Sequence, residues 1–450
     1  MKNYSHIYFL GIGGIGMSAI ARYYAFKGFK VSGYDLTPSQ LTAELQAEGI
    51  EVHYDDNPAL IPADAASTLI VYTPAIPKEL KEYQHVVNNG YKIVKRSRML
   101  GEITEGQKCL AVAGTHGKTT TSTLVAHILT ESGEGCSAFL GGTSKNYNTN
   151  LLVSHNKLVV AEADEFDRSF LQLHPSIAVI TAMDADHLDI YGDIGHYQDA
   201  FRDFAAQVSD ALIIKYGLPV TGKDTGARIF TYHLSEPKAD FRAENMHIDS
   251  FGHYTYDLCH PGGIIKDIRV GTLGALNAEN SIAAAAICLL HGTDAGKIRH
   301  AIGTYAGVKR RMEEHINRDN LTYIDDYAHH PNELAAAISS LKEMFPKRKI
   351  TGVFQPHLYS RTRDFASEFA NALSLLDKLI LLDIYPAREE PIPGISSETI
   401  FKDVSAKEKV LIKKEELMDY LSREALDVLV TFGAGNIDRF VKPICEMLSK

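Results

Sequence analysis

Ala113-Gly114-Thr115-His116-Gly117-Lys118-Thr119-Thr120 is the stretch on which the reading of the fold turns. An apolar run at 108–113 precedes it and a helix-length segment at 118–132 follows, so its glycines fall in a strand-to-helix turn. The Gly-Lys-Thr ending is that of a triphosphate loop. In such a loop backbone N–H groups cradle the phosphates, the lysine neutralises the β- and γ-oxygens, and a hydroxyl reaches Mg²⁺. The strict spacing is absent, because Val112 holds the place of the first glycine. Gly114, Thr115, His116, Gly117, Lys118, Thr119 and Thr120 are therefore expected to bind ATP, with Lys118 on the phosphates and Thr119 on the metal.

Upstream stands a second glycine turn, Gly11-Ile12-Gly13-Gly14-Ile15-Gly16, between a strand at 6–10 and a helix at 17–27. Gly11, Gly13, Gly14, Ile15 and Gly16 suit a tight turn that brings amides at a helix N-terminus against a diphosphate. Asp35 ends the next strand, about where an acid meets a ribose hydroxyl. NAD, FAD and a UDP-sugar all carry a diphosphate, so the motif does not name its nucleotide.

Downstream, Glu162-Ala163-Asp164-Glu165 closes one apolar run and Asp184-Ala185-Asp186-His187 follows the next. Acids at the carboxyl ends of parallel strands face the crevice where α/β proteins bind ligands. Further strands are expected at 30–34, 68–72, 91–94, 157–161, 177–181 and 211–215, and hairpins over 242–270. A helix is expected over 277–290. A last segment alternates strands at 321–324, 350–354, 378–382 and 427–432 with helices at 332–345 and 362–375. The alternation predicts α/β layers on largely parallel sheets, divided near 105 and 314 into domains 1–105, 106–314 and 315–450.

Bulk properties narrow the class. A chain of 450 residues with 45% hydrophobic and 23% charged residues is too long for one core and ordinary in composition. A formal charge of −10 argues against nucleic acid as a partner. No apolar run reaches the roughly 20 residues of a membrane helix. The first residues lack a signal-peptide layout. Five scattered cysteines suit a reducing compartment. The expectation is a cytoplasmic protein, monomeric or weakly dimeric.

Both glycine turns in this order, with Asp325-Asp326-Tyr327-Ala328-His329-His330-Pro331 and Gln355-Pro356-His357-Leu358-Tyr359-Ser360-Arg361-Thr362-Arg363, resemble the Mur ligase family over nearly the whole chain. The resemblance implies an N-terminal Rossmann-like domain for a UDP-sugar, to which Thr73 would also contribute. It implies a central P-loop ATPase-like α/β domain and a C-terminal Rossmann-like α/β domain. Thr119, Glu162 and His187 would hold the metal. Asn277, Asn280, Arg311 and Asp326 would contact ATP, and His329, Arg361 and Arg363 the substrate carboxylate or the incoming amino acid. Ala182, Leu276 and Leu358 depart from the family's common residues.

The implied reaction joins L-alanine to the carboxylate of UDP-N-acetylmuramate. ATP serves as co-substrate and Mg²⁺ as cofactor, and Lys118, Glu162, His187 and His329 are the catalytic candidates. A carboxylate has no leaving group, so phosphorylation must supply one; positioning and charge neutralisation then do most of the catalysis. Three alternatives stay open: a ligase that attaches a whole tripeptide to the same sugar, an NAD-dependent dehydrogenase, and a non-catalytic nucleotide sensor.

Overall fold

The computed structural model describes residues 4–184, 188–387 and 389–449. Its first sheet contains β1 (His6–Leu10), β2 (Lys30–Tyr34), β3 (Glu51–His53), β4 (Thr68–Tyr72) and β5 (Lys92–Lys95), all parallel, in the order β3-β2-β1-β4-β5. Every residue of β1 is buried. A parallel strand covered on both faces reads as a continuous apolar run, which is why His-Ile-Tyr-Phe-Leu was legible.

The second sheet has ten strands: β6 (Lys108–Ala113), β7 (Ser137–Ser144), β8 (Thr149–Leu152), β9 (Leu158–Ala163), β10 (Ile177–Ile180), β11 (Ala211–Lys215), β12 (Arg228–His233), β13 (Phe241–Ile248), β14 (His253–His260) and β15 (Gly263–Leu273). Their order is β15-β14-β13-β12-β11-β10-β6-β9-β7-β8. At its centre β6 lies parallel between β10 and β9, with Ala113 level with Ile180 and Ala163. The carboxyl ends of these neighbours therefore meet, and they lead into the phosphate turn, the Glu162–Glu165 patch and Asp184.

The third sheet holds β16 (Glu313–Arg318), β17 (Leu321–Asp326), β18 (Ile350–Phe354), β19 (Lys378–Leu381), β20 (Glu408–Leu411) and β21 (Val428–Phe432), ordered β16-β17-β21-β18-β19-β20. Only β16 runs antiparallel, as an edge strand. The expected helix at 362–375 is in fact two, Tyr359–Asp364 and Ala366–Leu373. Phe365 breaks it at φ −124°, its ring packed 5.0 Å from that of His330.

The chain divides into two compact units, Met1–Glu244 with Leu258–Lys266 and Asn280–Tyr305, and Asn245–Asp257 with Asp267–Glu279 and Ala306–Lys450. Within the first, the sheets are tied side by side. Arg22 reaches Asn150 Oδ1 at 2.5 Å, and Asn150 Nδ2 donates to the Ile15 carbonyl at 2.6 Å. Gly101 packs so closely on the Gln172 carbonyl that a Cβ there would lie 2.3 Å from its oxygen.

Candidate functional site

The phosphate turn leaves β6 through Gly114 and enters the helix Lys118–Glu131 through Gly117. Both have positive φ, 132° and 79°, which L side chains resist. Space forbids a side chain as well. A Cβ at 114 would fall 2.2 Å from Thr181 Oγ1, and one at 117 would fall 2.7 Å from Asn280 Oδ1. The turn is braced from β10's exit: Thr115 N–H donates to the Ala182 carbonyl at 3.1 Å, and Thr181 Oγ1 to the His116 carbonyl. Ala182 thus serves through its backbone. Thr115 Oγ1 donates to the Asp184 carbonyl at 2.9 Å, and the Thr120 carbonyl accepts from Tyr305 at 3.2 Å. His116 lies on the exposed side, 3.5 Å from Asp184.

Lys118 Nζ donates to the Gly114 carbonyl at 2.7 Å and to both oxygens of Glu165, at 2.9 and 2.7 Å. Glu165 is 2% exposed. Glu165 ends the acidic patch Glu162-Ala163-Asp164-Glu165, and its position there signals no role by itself. Glu162, at the end of β9, accepts from Thr119 Oγ1 at 3.0 Å and from Gly141 N–H at 2.9 Å. A Cβ at 141 would lie 2.3 Å from that carboxylate, so the glycine is what admits it. Glu162 and Thr119 present hard oxygen donors side by side. Mg²⁺ takes one or two carboxylates plus substrate phosphates rather than an all-protein cage, so these residues fit it. Asp186 and His187 lie outside the described residues, among which no cluster of three or more metal-ligating side chains occurs.

Around the first glycine turn, Gly11 has φ 85° and the helix Ile15–Phe26 starts from Gly14. Asp35 braces the turn: its Oδ2 accepts the Gly13 N–H at 2.7 Å. A Cβ at 13 would lie 2.8 Å from that oxygen. A cleft of about 370 Å³ opens beside the turn, lined by Gly14, Ile15, Gly16 and Thr73 at one end and by Gly141, Glu162 and Asp164 at the other. Arg96 also lines it, and nothing in the sequence had marked that residue. The cavity thus runs from the first glycine turn to Glu162, whose carboxylate accepts from Thr119 of the second turn.

In the second unit, β17, β21 and β18 are adjacent and parallel, so the loops after Asp326, Phe432 and Phe354 emerge together, the usual ligand edge of such sheets. Asp326 is 7% exposed and accepts from Met312 N–H at 2.7 Å and Ala328 N–H at 2.8 Å. Burial pushes its carboxyl up to about 6. Asp325 is fully buried, with Arg310 Nε at 3.0 Å and Thr431 Oγ1 at 2.6 Å. The guanidinium carbons of Arg310 and Arg311 sit 5.1 and 5.3 Å from the centre of the Tyr327 ring. His329 Nδ1 lies 3.0 Å from the Tyr327 carbonyl and 3.3 Å from Glu333. Burial holds its imidazole below the usual histidine value; Glu333 opposes this, and the Arg361 charge adds to it.

Arg361 is thus brought into the neighbourhood of His329. Arg363 is not: it is about half exposed and pairs with its neighbour Asp364 at 2.7 Å. The helix Ala275–His291 carries Asn277 and Asn280 one turn apart; Asn280 faces Gly117, while Asn277 Nδ2 donates to the Leu273 carbonyl at 2.8 Å. Leu276 is 51% exposed. Leu358 has φ 73°, a left-handed value that a leucine resists, as its N–H reaches the Tyr385 carbonyl at 3.0 Å.

A lysine-bearing phosphate turn and a diphosphate-type turn in one compact unit, followed by a further parallel α/β sheet with a charged edge, define a nucleotide-dependent group-transfer enzyme. The family models for the "Mur ligase family, catalytic domain", the "Mur ligase middle domain" and the "Mur ligase, glutamate ligase domain" match residues 6–108, 112–288 and 310–435. The chain belongs to the Mur ligase family. It is 50% identical to a UDP-N-acetylmuramate–L-alanine ligase of Parabacteroides distasonis, over 99% of this chain and 97% of that one. A solved UDP-N-acetylmuramate-alanine ligase of Thermotoga maritima superposes with a TM-score of 0.84 at 27% identity, covering 99% of this chain and 100% of the other. A murein peptide ligase of Psychrobacter arcticus, at 21% identity and a TM-score of 0.70 over 99% of each chain, shares the fold.

Proposed function

We propose that this enzyme joins L-alanine to the carboxylate of UDP-N-acetylmuramate, giving UDP-N-acetylmuramoyl-L-alanine, ADP and phosphate, a step of peptidoglycan precursor synthesis in the cytoplasm. The observation that carries the reading is the cleft that runs from Gly14–Gly16 to Glu162, whose carboxylate takes the Thr119 hydroxyl of the phosphate turn. A sugar nucleotide with its diphosphate at the first turn would extend its own carboxylate toward the second. The alternative of NAD leaves the phosphate turn Gly114–Thr120 without a task. The domains are taken as 1–105, 106–314 and 315–450, close to the spans of the matched family models.

In the reaction, the sugar's carboxylate oxygen attacks the γ-phosphorus of ATP and ADP leaves, forming an acyl phosphate. Lys118 moves from Glu165 onto the transferring oxygens and stabilises their charge. Thr119 and Glu162, with His187 as a further ligand, would hold Mg²⁺, which would supply charge neutralisation on the phosphates. Asn277, Asn280, Arg311 and Asp326 take the rest of the nucleotide. The alanine amine then attacks the acyl carbon, and the tetrahedral intermediate expels phosphate. Arg361 and Arg363 hold the alanine carboxylate, which for Arg363 means exchanging its Asp364 partner. His329 takes the proton from the attacking amine.

The test is phosphate release from ATP with UDP-N-acetylmuramate and L-alanine, glycine, L-serine or the tripeptide as acceptor. Preference for L-alanine is expected. Preference for the tripeptide would reassign the enzyme to recycling, and no release with any amine would sink the ligase reading.

His329 gives a pH prediction. Its depressed native value keeps the imidazole neutral, and so able to accept a proton, below the ordinary histidine value of roughly 6.5. The acid limb of kcat/KM should therefore fall below pH ~6.5, and His329→Gln should remove that limb and lower the plateau by about 10²-fold or more. An unchanged limb in a folded variant would transfer the role elsewhere.

A further inference from the structure

Resting on the reading above, we propose that Arg96 is the side chain on the sugar-nucleotide side that anchors an oxyanion of that substrate, the carboxylate or the diphosphate, by exchanging its present partner Asp164 for it. Among the described residues lining the cleft, Arg96 is the one basic side chain, whereas Glu162 and Asp164 are acidic. A ligand that brings both a carboxylate and a diphosphate into this space meets repulsion from those acids unless a cation intervenes.

The geometry suits an exchange. Arg96 opens the helix Arg96–Thr104, directly after β5, and points back across the first glycine turn. Its Nη1 lies 2.7 Å from where a Cβ of Gly16 would stand, so the last glycine of that turn is the one that makes room for the guanidinium. Nη2 donates to Asp164 Oδ2 at 3.2 Å, a single bond rather than a fork, with side-chain exposures of 21% and 38%. A part-exposed, one-armed ion pair holds little free energy. A planar guanidinium binds a carboxylate or phosphate through two parallel bonds and gains by the substitution. Asp164 is then a stand-in for the substrate's own acid, and it keeps Arg96 aimed into the cleft in the meantime.

The experiment measures binding of UDP-N-acetylmuramate and of UDP-N-acetylglucosamine, which lacks the carboxylate, by calorimetry to the full-length enzyme and to Arg96→Ala, Asp164→Asn and Gly16→Ala. Arg96→Ala should weaken UDP-N-acetylmuramate binding by roughly 10- to 100-fold, with ATP binding retained. Asp164→Asn should hold or tighten it, because the competitor is gone. Gly16→Ala should resemble Arg96→Ala, since its methyl displaces the flexible guanidinium and not backbone. A matching loss with UDP-N-acetylglucosamine assigns Arg96 to the diphosphate; loss with UDP-N-acetylmuramate alone assigns it to the carboxylate.

Equal weakening by Arg96→Ala and Asp164→Asn would show a merely structural pair and overturn the proposal, as would unchanged binding in Arg96→Ala. If the unsubstituted enzyme binds neither sugar nucleotide, the functional reading itself fails, and that result is distinct from the others.

Discussion

Lys118→Ala is expected to lower phosphate release by on the order of 10³-fold while leaving UDP-N-acetylmuramate binding within a few-fold of its original value. The magnitude follows from what the ammonium does: it is the charged donor of the phosphate turn, and phosphoryl transfer depends on such donors because little covalent help is available. The selectivity follows from position. The sugar nucleotide is assigned to Gly11–Gly16, Thr73 and the cleft, and Lys118 does not line that cleft. Its present partners are Gly114, Thr115 and Glu165. Steady-state phosphate release and sugar-nucleotide calorimetry on the same preparation check both halves. Loss of sugar binding in a folded variant would overturn the division of the two nucleotides.

Arg310→Ala is expected to destabilise the second unit by about 3–5 kcal/mol near neutral pH, the usual cost of stripping the partner from a buried charge. Arg310 bonds Asp325, which is fully buried, and reaches the Gly433 carbonyl at 2.5 Å. Burial holds Asp325 above the usual carboxylate range, although Arg310 and Thr431 pull it down. Between the ordinary carboxylate value and the native one, the native state therefore keeps a proton that the unfolded chain has released. The contribution of this carboxyl is fully present below the ordinary carboxylate value and fades as pH rises through the native one. Removing Arg310 moves the native value higher still. The deficit of the variant should then be smallest in acid and grow toward neutrality, read as urea midpoints at pH 4.5, 6 and 7.5. A deficit that does not vary with pH would mean that the arginine acts through packing on Tyr327 instead.

The parts of this molecule governed by short-range rules were legible in its sequence. Buried parallel strands such as His6–Leu10, Lys108–Ala113 and Ile350–Phe354 appear at the expected residues, because a strand covered on both faces has no polar interruption. Both glycine turns sit between strand and helix as expected. Short or edge strands escaped: Glu51–His53, Thr149–Leu152 and Glu408–Leu411 have three or four residues each and no long apolar signature. The break at Phe365 escaped too, since it depends on a ring packed from His330.

At the site, the sequence named Lys118, Thr119 and Glu162 but not the Glu165 and Gly141 that bond to them. Glu165, Gly141 and Arg96 acquire meaning only when strands distant in sequence lie side by side. No spacing rule links residue 96 to residue 164. Arg363 shows the converse, a residue in a specific motif that the structure leaves at the surface with Asp364.

With Lys118 in its proposed role, its pairing with Glu165 makes nucleotide capture an exchange and not an addition. The ammonium that meets a triphosphate must first abandon a carboxylate that is 2% exposed. That carboxylate is left with poorer solvation than any group at the surface. Whatever the phosphates gain would then be measured against an intact internal rival. Occupancy becomes a matter of how many other contacts the nucleotide completes. On that reading, loading the turn would displace an acid as well as add a ligand.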